Sequence, residues 1–238
     1  MEHMNELAFY TLAGAPDSPR DLIAEVRQAE DLGIGAAFIS ERLNIKEAAT
    51  ISGAVGAVSD TIGVATAATN HNTRHPMVTA AYAMTMHKLT GGRFSLGLGR
   101  GAKRVFDAYG LAPITTAQLE DVVGLMRRLW RGELVRDHDG PAGKFRALTM
   151  GSIYDEHIPI NLVAFGPNSF ALGGRAFDAV VLHTFFTDET TARAVSAPFT
   201  LKASTQSLST MPAFFASTSE SQTTGPPLFS VSIIRLSE

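Results

Sequence analysis

At 238 residues, with 45% hydrophobic and 18% charged side chains, the chain has enough apolar material for one large core of the size an α/β barrel takes. A formal charge of -3 with scattered Lys and Arg excludes a basic nucleic-acid face, and the absence of cysteine excludes disulfides, thiolate metal sites and a thiol nucleophile. The opening MEHMNELAFY lacks the layout of a secretion signal and no run reaches about 18 apolar residues, so a soluble cytoplasmic protein with no membrane partner is expected.

The first strand is expected at Leu7–Tyr10. Ser18 then caps a helix with Pro19 at its first position and Asp21 three residues after the cap. Leu22, Val26, Ala29 and Leu32 recur at helical spacing as one buried stripe, Gly33 stops the helix, and a strand follows at Ala36–Ile39. Helical residues near Glu47–Val58 lead to a strand at Ile62–Ala67. Pro76 opens a helix whose apolar face carries Val78, Tyr82, Met86 and Leu89, ending at Gly91–Gly92 before a strand at Phe94–Leu98. Thr115 and Gln118 form a capping box for a helix with Leu119, Val123, Met126 and Trp130 inward, closed by Gly132.

The stretch ELVRDHDGPAGKFRAL departs from this rhythm. Its Asp139-Gly140-Pro141 tract is turn chemistry between two short extended arms, and Asp137–Asp139 fits a solvated hairpin turn better than a ligand cluster. Regular order returns with a strand at Ile160–Val163, a helix from about Asn168 to Phe177, and a strand at Ala179–Leu182.

Six short apolar strands, separated by helices, mean either a doubly wound sheet or a barrel of (β/α)8 TIM-barrel type. The stretch RFSLGLGRG, read on to Ala102, satisfies the loose G-x-G-x-x-G/A pattern through Gly97, Gly99 and Ala102. A dinucleotide fingerprint belongs at the first strand–helix turn, yet TLAGAPDSPR there has no such pattern. The glycines therefore read as a barrel strand end, the alternative being a tight turn and nothing more. The α/β barrel is expected to be incomplete, with about six βα units, because a typical one takes about 250 residues. From Ser196 to Glu238 roughly a third of the residues are Ser or Thr, and the charged groups are Lys202, Glu220, Arg235 and Glu238. Residues 1–194 are thus expected to form the barrel domain. Residues 195–238 read as a low-complexity segment, either a flexible tail or a frameshift product, with composition favouring the latter.

Three stretches carry a family resemblance: AEDLGIGAAFISER, TRHPMVTAAYAMTMHKLTGGRFSLGLGRG and NLVAFGPNSFALGGRAFDAVVL. Over about residues 6–194 the chain resembles the luciferase-like monooxygenase superfamily, and more closely its coenzyme F420-dependent oxidoreductases. The resemblance implies a (β/α)8 barrel holding coenzyme F420, or alternatively FMN, at the C-terminal strand ends, a small-molecule substrate, and a homodimer. It places Ser40–Arg42 where related F420 enzymes carry an acid followed by histidine, so Glu41 keeps the acid and Arg42 replaces the histidine. It puts a ring-supporting bulge at Thr66, Ala67 and Ala68 with Asn70 just beyond, the Gly99–Gly101 loop beside the coenzyme's tail, and Ala164, Phe165, Gly166, Pro167, Asn168 and Ser169 near the ribityl-phosphate region.

The residues alone make the same places plausible, since barrel strand ends converge on one face and a helix N-terminus adds oriented N–H donors at Asn168. Glu41 either orients coenzyme or substrate or pairs with Arg42, and Arg42 either holds an anionic tail or forms an exposed salt bridge. His183, after the sixth strand, is either a pocket histidine or a buried, satisfied one. A metal at His71 and His75 is rejected because Pro76 starts the helix beyond them. The leading expectation is hydride transfer between F420 and an organic substrate, with Glu41, Arg42 and His183 as catalytic candidates. The alternatives are an FMN-dependent luciferase-like monooxygenase, or a non-catalytic flavin binder or incompletely folded barrel fragment.

Overall fold

The computed structural model describes residues 4–154, 156–182, 189 and 233–235. In chain order they form β1 (Met4–Tyr10), α1 (Leu22–Asp31), β2 (Ile34–Ile39), α2 (Ala48–Val58), β3 (Gly63–Thr66), α3 (Pro76–Leu89), β4 (Phe94–Leu98) and α4 (Lys103–Ala108). They continue with α5 (Thr116–Trp130), β5 (Val135–Gly140), β6 (Gly143–Leu148), β7 (Ile160–Ala164), α6 (Pro167–Ala176), β8 (Ala179–Leu182) and β9 (Ile233–Arg235).

The main sheet runs β1-β2-β3-β4-β7-β8-β9, parallel from β1 to β8. Strand order follows chain order without reversal. With right-handed crossovers, that order puts successive helices on one face, so the sheet curls toward a barrel and is not wound on both faces. Side chains sort accordingly. Ile39, Val64, Phe94, Leu96, Leu98, Ile160, Leu162, Val180 and Leu182 face the helices, in one cluster with Val26, Val55, Ala83, Met126 and Leu172. The alternate positions Ala8, Ala36, Phe38, Ala65, Ala67 and Val181 form a second cluster on the other, concave face, flanked by Tyr10 and Val163. The result is an incomplete α/β barrel, as the strand–helix rhythm implies.

Local signals act largely as expected. Ser18 and Asp21 make a capping box around a short 3-10 turn at Pro19–Asp21 that feeds α1, and Thr115 and Gln118 make another for α5. The inward α5 positions Leu119, Val123, Met126 and Trp130 are all buried.

Several expectations need correction. Leu32 is exposed, because α1 has already ended at Asp31. On α3 the buried face is Thr79, Ala80, Ala83, Met86 and His87, whereas Val78 and Leu89 are exposed. Ala80 and Ala83 let α3 lie close to the sheet; of the expected stripe Met86 is buried and the Tyr82 ring packs edge-on to Phe94 of β4, which leaves Val78 and Leu89 pointing outward. Asp137–Asp139 lies within strand β5, and the hairpin turns at residues 141–142. His138 Nε2 lies 2.9 Å from Asp121 Oδ2, which ties the hairpin to α5. Helix α4 had no periodic signal and holds one buried residue, Phe106. Within the segment set apart by composition, Ile233–Arg235 pairs antiparallel with β8.

Candidate functional site

Parallel strands bring their C-terminal ends to one edge, and the ends of β2, β3 and β4 are tied together there. After Thr66 the chain leaves the regular ladder, and the Ala67–Ala68 peptide is cis. The Ala67 N–H donates to the Ile39 carbonyl at 2.8 Å and the Glu41 N–H to the Ala68 carbonyl at 2.9 Å. On the other side, the Thr69 N–H donates to the Gly97 carbonyl at 2.9 Å and the Gly99 N–H to the Thr69 carbonyl at 3.0 Å. The stretch 66–70 is clamped on both flanks.

The glycines at the end of β4 and just beyond it serve this clamp. Thr66 Oγ1 donates to the Gly97 carbonyl at 2.8 Å and accepts from the Gly97 N–H at 2.7 Å, so the strands meet at backbone distance. A Cβ on Gly97 would overlap the Thr66 carbonyl, and one on Gly99 would lie 2.8 Å from Ala68 Cβ. Gly101 packs beneath Phe106, and Asn70 Nδ2 donates to the Gly99 carbonyl at 2.9 Å. Thr66, Ala67, Ala68, Asn70, Gly99 and Gly101, chosen as coenzyme contacts, therefore do come together, and they contact each other.

Glu41 is buried, its side chain 2% exposed, and both its oxygens are engaged. Oε1 accepts from the Ala48 N–H at 2.9 Å, at the start of α2; Oε2 accepts from Thr69 Oγ1 and from Arg74 Nη2, each at 2.8 Å. Arg74 also reaches Glu47, which caps α2 through the Ala49 and Thr50 amides. Glu41 thus pairs with Arg74, not with Arg42. Arg42 instead donates to the Gly14 carbonyl. Beside it, buried Lys46 donates to the Thr11 and Leu12 carbonyls, and burial, assisted by Arg42, pushes its ammonium down to about 8 against the opposing charge of Glu25. Ser40 is half-buried between β2 and Glu41. Arg74, Thr69 and Lys46 were not among the sequence candidates; for Arg74 the signal was its place in TRHP, one residue before the helix cap.

The neighbouring strand end carries the 164–168 segment. Ala164 closes β7 and is buried, Phe165 is 61% exposed, Gly166 is the N-cap of α6 without a side-chain cap, and Pro167 and Asn168 open that helix. A Cβ on Gly166 would meet nothing within 4 Å, so space lies open beside the α6 N-terminus. His183 lies outside the described residues.

Below these strand ends the concave face is lined by Ala8, Ala36, Ala65 and Ala67, with the Tyr10 and Phe38 rings 5.6 Å apart. Burial pushes the Tyr10 phenol up to about 12. An edge of parallel strand ends that opens, at Gly166, onto an uncapped helix N-terminus fits a redox ring with a phosphate-bearing tail. His75 and His71 have separate tasks. His75 caps α3, its Nδ1 accepting from the Met77 N–H at 3.2 Å. His71 is buried, its Nε2 has no hydrogen-bond partner, and burial lowers its imidazole from 6.5 to about 4.

That shift has a measurable consequence. Between pH 6.5 and about 4 the unfolded chain takes up a proton at His71 that the folded chain does not, so stability falls as the pH is lowered through this window. The loss expected by pH 4 is about 3 kcal/mol from this group, at 1.36 kcal/mol per pH unit. Urea unfolding at stepped pH should show the slope, and His71→Gln should remove its share.

The sequence model of the luciferase-like monooxygenase family matches residues 4–217, most of the chain and past residue 194. The chain belongs to the luciferase-like monooxygenase family. It is 29% identical over 172 residues to the 5,10-methylenetetrahydromethanopterin reductase of Methanolobus tindarius, covering 71% of this chain and 52% of the reductase. Among solved structures, the coenzyme F420-dependent tetrahydromethanopterin reductase from Methanopyrus kandleri superposes with a TM-score of 0.63 at 23% identity, covering 75% of this chain and 55% of that one. The oxygenating component of 3,6-diketocamphane monooxygenase from Pseudomonas putida, in complex with FMN, superposes with a TM-score of 0.60 at 22% identity, covering 75% and 56%. The structural likenesses establish the fold. This luciferase-like chain spans about half the length of the curated relatives it matches. Among the described residues, no helix is long and apolar enough to cross a membrane.

Proposed function

We propose that the chain is a cytoplasmic oxidoreductase that holds coenzyme F420 on the concave strand-end rim, with a small organic molecule as hydride donor or acceptor. One observation carries the proposal: the C-terminal ends of β2, β3, β4 and β7 meet along one edge, and the chain leaves β7 into open space at Gly166, where an uncapped helix begins. The F420-dependent relatives support the choice of coenzyme. When bound, the deazaflavin supplies the hydride chemistry. The Thr66–Asn70 stretch would back the ring, and the Gly166 and Asn168 N–H groups, on either side of Pro167, would face the phosphate-bearing tail. Glu41 and Arg74 would hold the rim in shape as positioning residues, and Arg42 and Lys46 would fix the loop after β1. Equilibrium fluorescence titration of the purified chain with F420 and, in parallel, FMN tests this. Tighter binding of F420 supports it; binding of FMN alone overturns the coenzyme assignment.

FMN is the second reading, favoured by the FMN complex of the diketocamphane enzyme. Binding without turnover across candidate substrates would favour the non-catalytic binder.

We further propose a homodimer through the outer face of α2 and α3. Ala49, Gly53, Val78, Ala81, Tyr82 and Leu89 line a groove there. Helix α2 carries no charged residue and α3 none before His87, so a charged partner finds no counter-ion, whereas a second copy offers both bulky Val78 and Leu89 and the small residues to receive them. Sedimentation velocity should find a dimer that Val78→Asp with Leu89→Asp converts to monomer; a wild-type monomer at micromolar concentration would contradict it.

A further inference from the structure

Most polar side chains around the β1–β4 strand ends are committed to the protein itself. Thr66 bonds Gly97, Thr69 bonds Glu41, Asn70 bonds Gly99, Glu41 and Glu47 share Arg74, Arg42 bonds Gly14, and Lys46 bonds Thr11 and Leu12. Arg100 likewise donates to the Ile114 carbonyl at 3.0 Å and to Thr116 Oγ1 at 2.8 Å. Among the described residues, the buried side-chain polar atoms without a partner are two, His71 Nε2 and Asn72 Oδ1, on successive residues of the short turn that follows β3. His71 is 8% exposed. Asn72 is fixed in orientation because its Nδ2 donates to the Ala112 carbonyl at 2.7 Å, which leaves Oδ1 as a bare acceptor. Leaving such groups unsatisfied costs about 1–3 kcal/mol each, and native proteins rarely accept it without a purpose.

We propose that His71, with Asn72 beside it, forms a hydrogen-bonding subsite for the uncharged carbonyl and lactam N–H groups of the bound tricyclic ring, and not for its phosphate. This rests on the coenzyme reading above. The polarity selects the guest. His71 stays neutral near pH 7, because burial holds its imidazole far below that range. A neutral imidazole beside a bare amide oxygen offers an anion no counter-charge, and Asn72 Oδ1 repels one. A group that can both donate and accept satisfies both atoms. His71 sits one residue beyond Asn70, whose side chain joins the β3 and β4 ends. The subsite therefore continues directly from the Thr66–Asn70 stretch proposed to back the ring, which Asn70 ties to Gly99.

The test separates ring from phosphate. Wild type, His71→Ala and His71→Gln are titrated with FMN and with riboflavin, and with F420 and its ring–ribityl portion lacking the phosphate. Loss of a net hydrogen bond of about 1–1.5 kcal/mol predicts that His71→Ala weakens binding of each pair by about the same factor, roughly tenfold, with the glutamine variant recovering part of it. Weakening confined to the phosphorylated members, or none, overturns the proposal. Should the alanine variant fold poorly, 15N-histidine NMR of the wild-type chain gives the answer directly. The His71 Nε2 signal must move on ligand binding while those of His87 and His138 stay, and an unmoved His71 signal at saturation overturns the proposal. Failure of wild type to bind any of the four ligands defeats the coenzyme reading itself and this proposal with it, whereas binding with an indifferent His71 defeats the subsite alone.

Discussion

Replacing Arg74 by methionine is expected to destabilise the fold by about 3–5 kcal/mol, among the largest effects of any single side chain outside the apolar core. The change leaves the Glu41 carboxylate, 2% exposed, without its cationic partner, and it also takes away the cation that Glu47 shares. An isolated surface pair would be worth far less, typically under about 1 kcal/mol. Burial makes the difference here, because the unpaired charge cannot recover its hydration. Chemical unfolding checks this, and the double variant Arg74→Met with Glu41→Gln sharpens it. If the cost comes from an uncompensated charge, neutralising Glu41 restores part of the stability, and the two changes are strongly non-additive. If the double variant is as unstable as the sum of the singles, the network acts through packing alone. Loosening of the rim should follow as weaker coenzyme binding even in the fraction that folds.

A second large effect is expected at Gly97. An added methyl would overlap the Thr66 carbonyl oxygen, a backbone atom that no rotamer change can move aside. Overpacking a core usually costs about 1–3 kcal/mol, and a clash with backbone belongs at or above the top of that range. Gly97→Ala is therefore expected to lose at least about 3 kcal/mol, because β3 and β4 must part and the reciprocal bonds between Thr66 Oγ1 and Gly97 must break. Gly166→Ala supplies the contrast. A methyl there meets nothing within 4 Å, so stability should change little, while ligand affinity falls if the space beside α6 is where the tail lies. Thermal unfolding of both variants, side by side, distinguishes a glycine kept for the protein's own packing from one kept for a guest.

These two glycines also show how far the sequence alone could be read. The strand–helix alternation, the capping boxes at Ser18 and Thr115, and the buried face of α5 are local signals, set by spacing and by hydrogen-bond chemistry within four residues, and they were legible. The run Gly97-Leu98-Gly99 reads as a strand end beside a coenzyme, but does not reveal the chain segment packed against it. What lies against these glycines is the Thr66–Ala68 stretch at the end of β3, thirty-one positions earlier for Thr66, and periodicity carries no information about such a partner. Glu41 stands out because it follows a strand end, but sequence adjacency offers it only Arg42 as an ion-pair partner, whereas the structure pairs it with Arg74, thirty-three residues away. Helix α3 misled for a different reason. Its bulky positions Val78 and Leu89 form an apolar stripe, but its small residues Ala80 and Ala83 face the sheet, and a stripe of either kind has the same period. At His71 the helix start at Pro76 argues against a metal, but nothing in sequence spacing reveals that its imidazole is buried with one nitrogen unpaired.

The rim formed by the β3 and β4 ends and the start of α6 is claimed as the seat of a redox coenzyme, and hydrogen–deuterium exchange across a saturating addition of F420 tests that claim most directly. The account predicts slowed exchange in residues 66–74, 97–106 and 164–170, with the outer face of α2 and α3 unchanged. Saturable binding that leaves all three stretches as they were, and protects amides elsewhere, would contradict it.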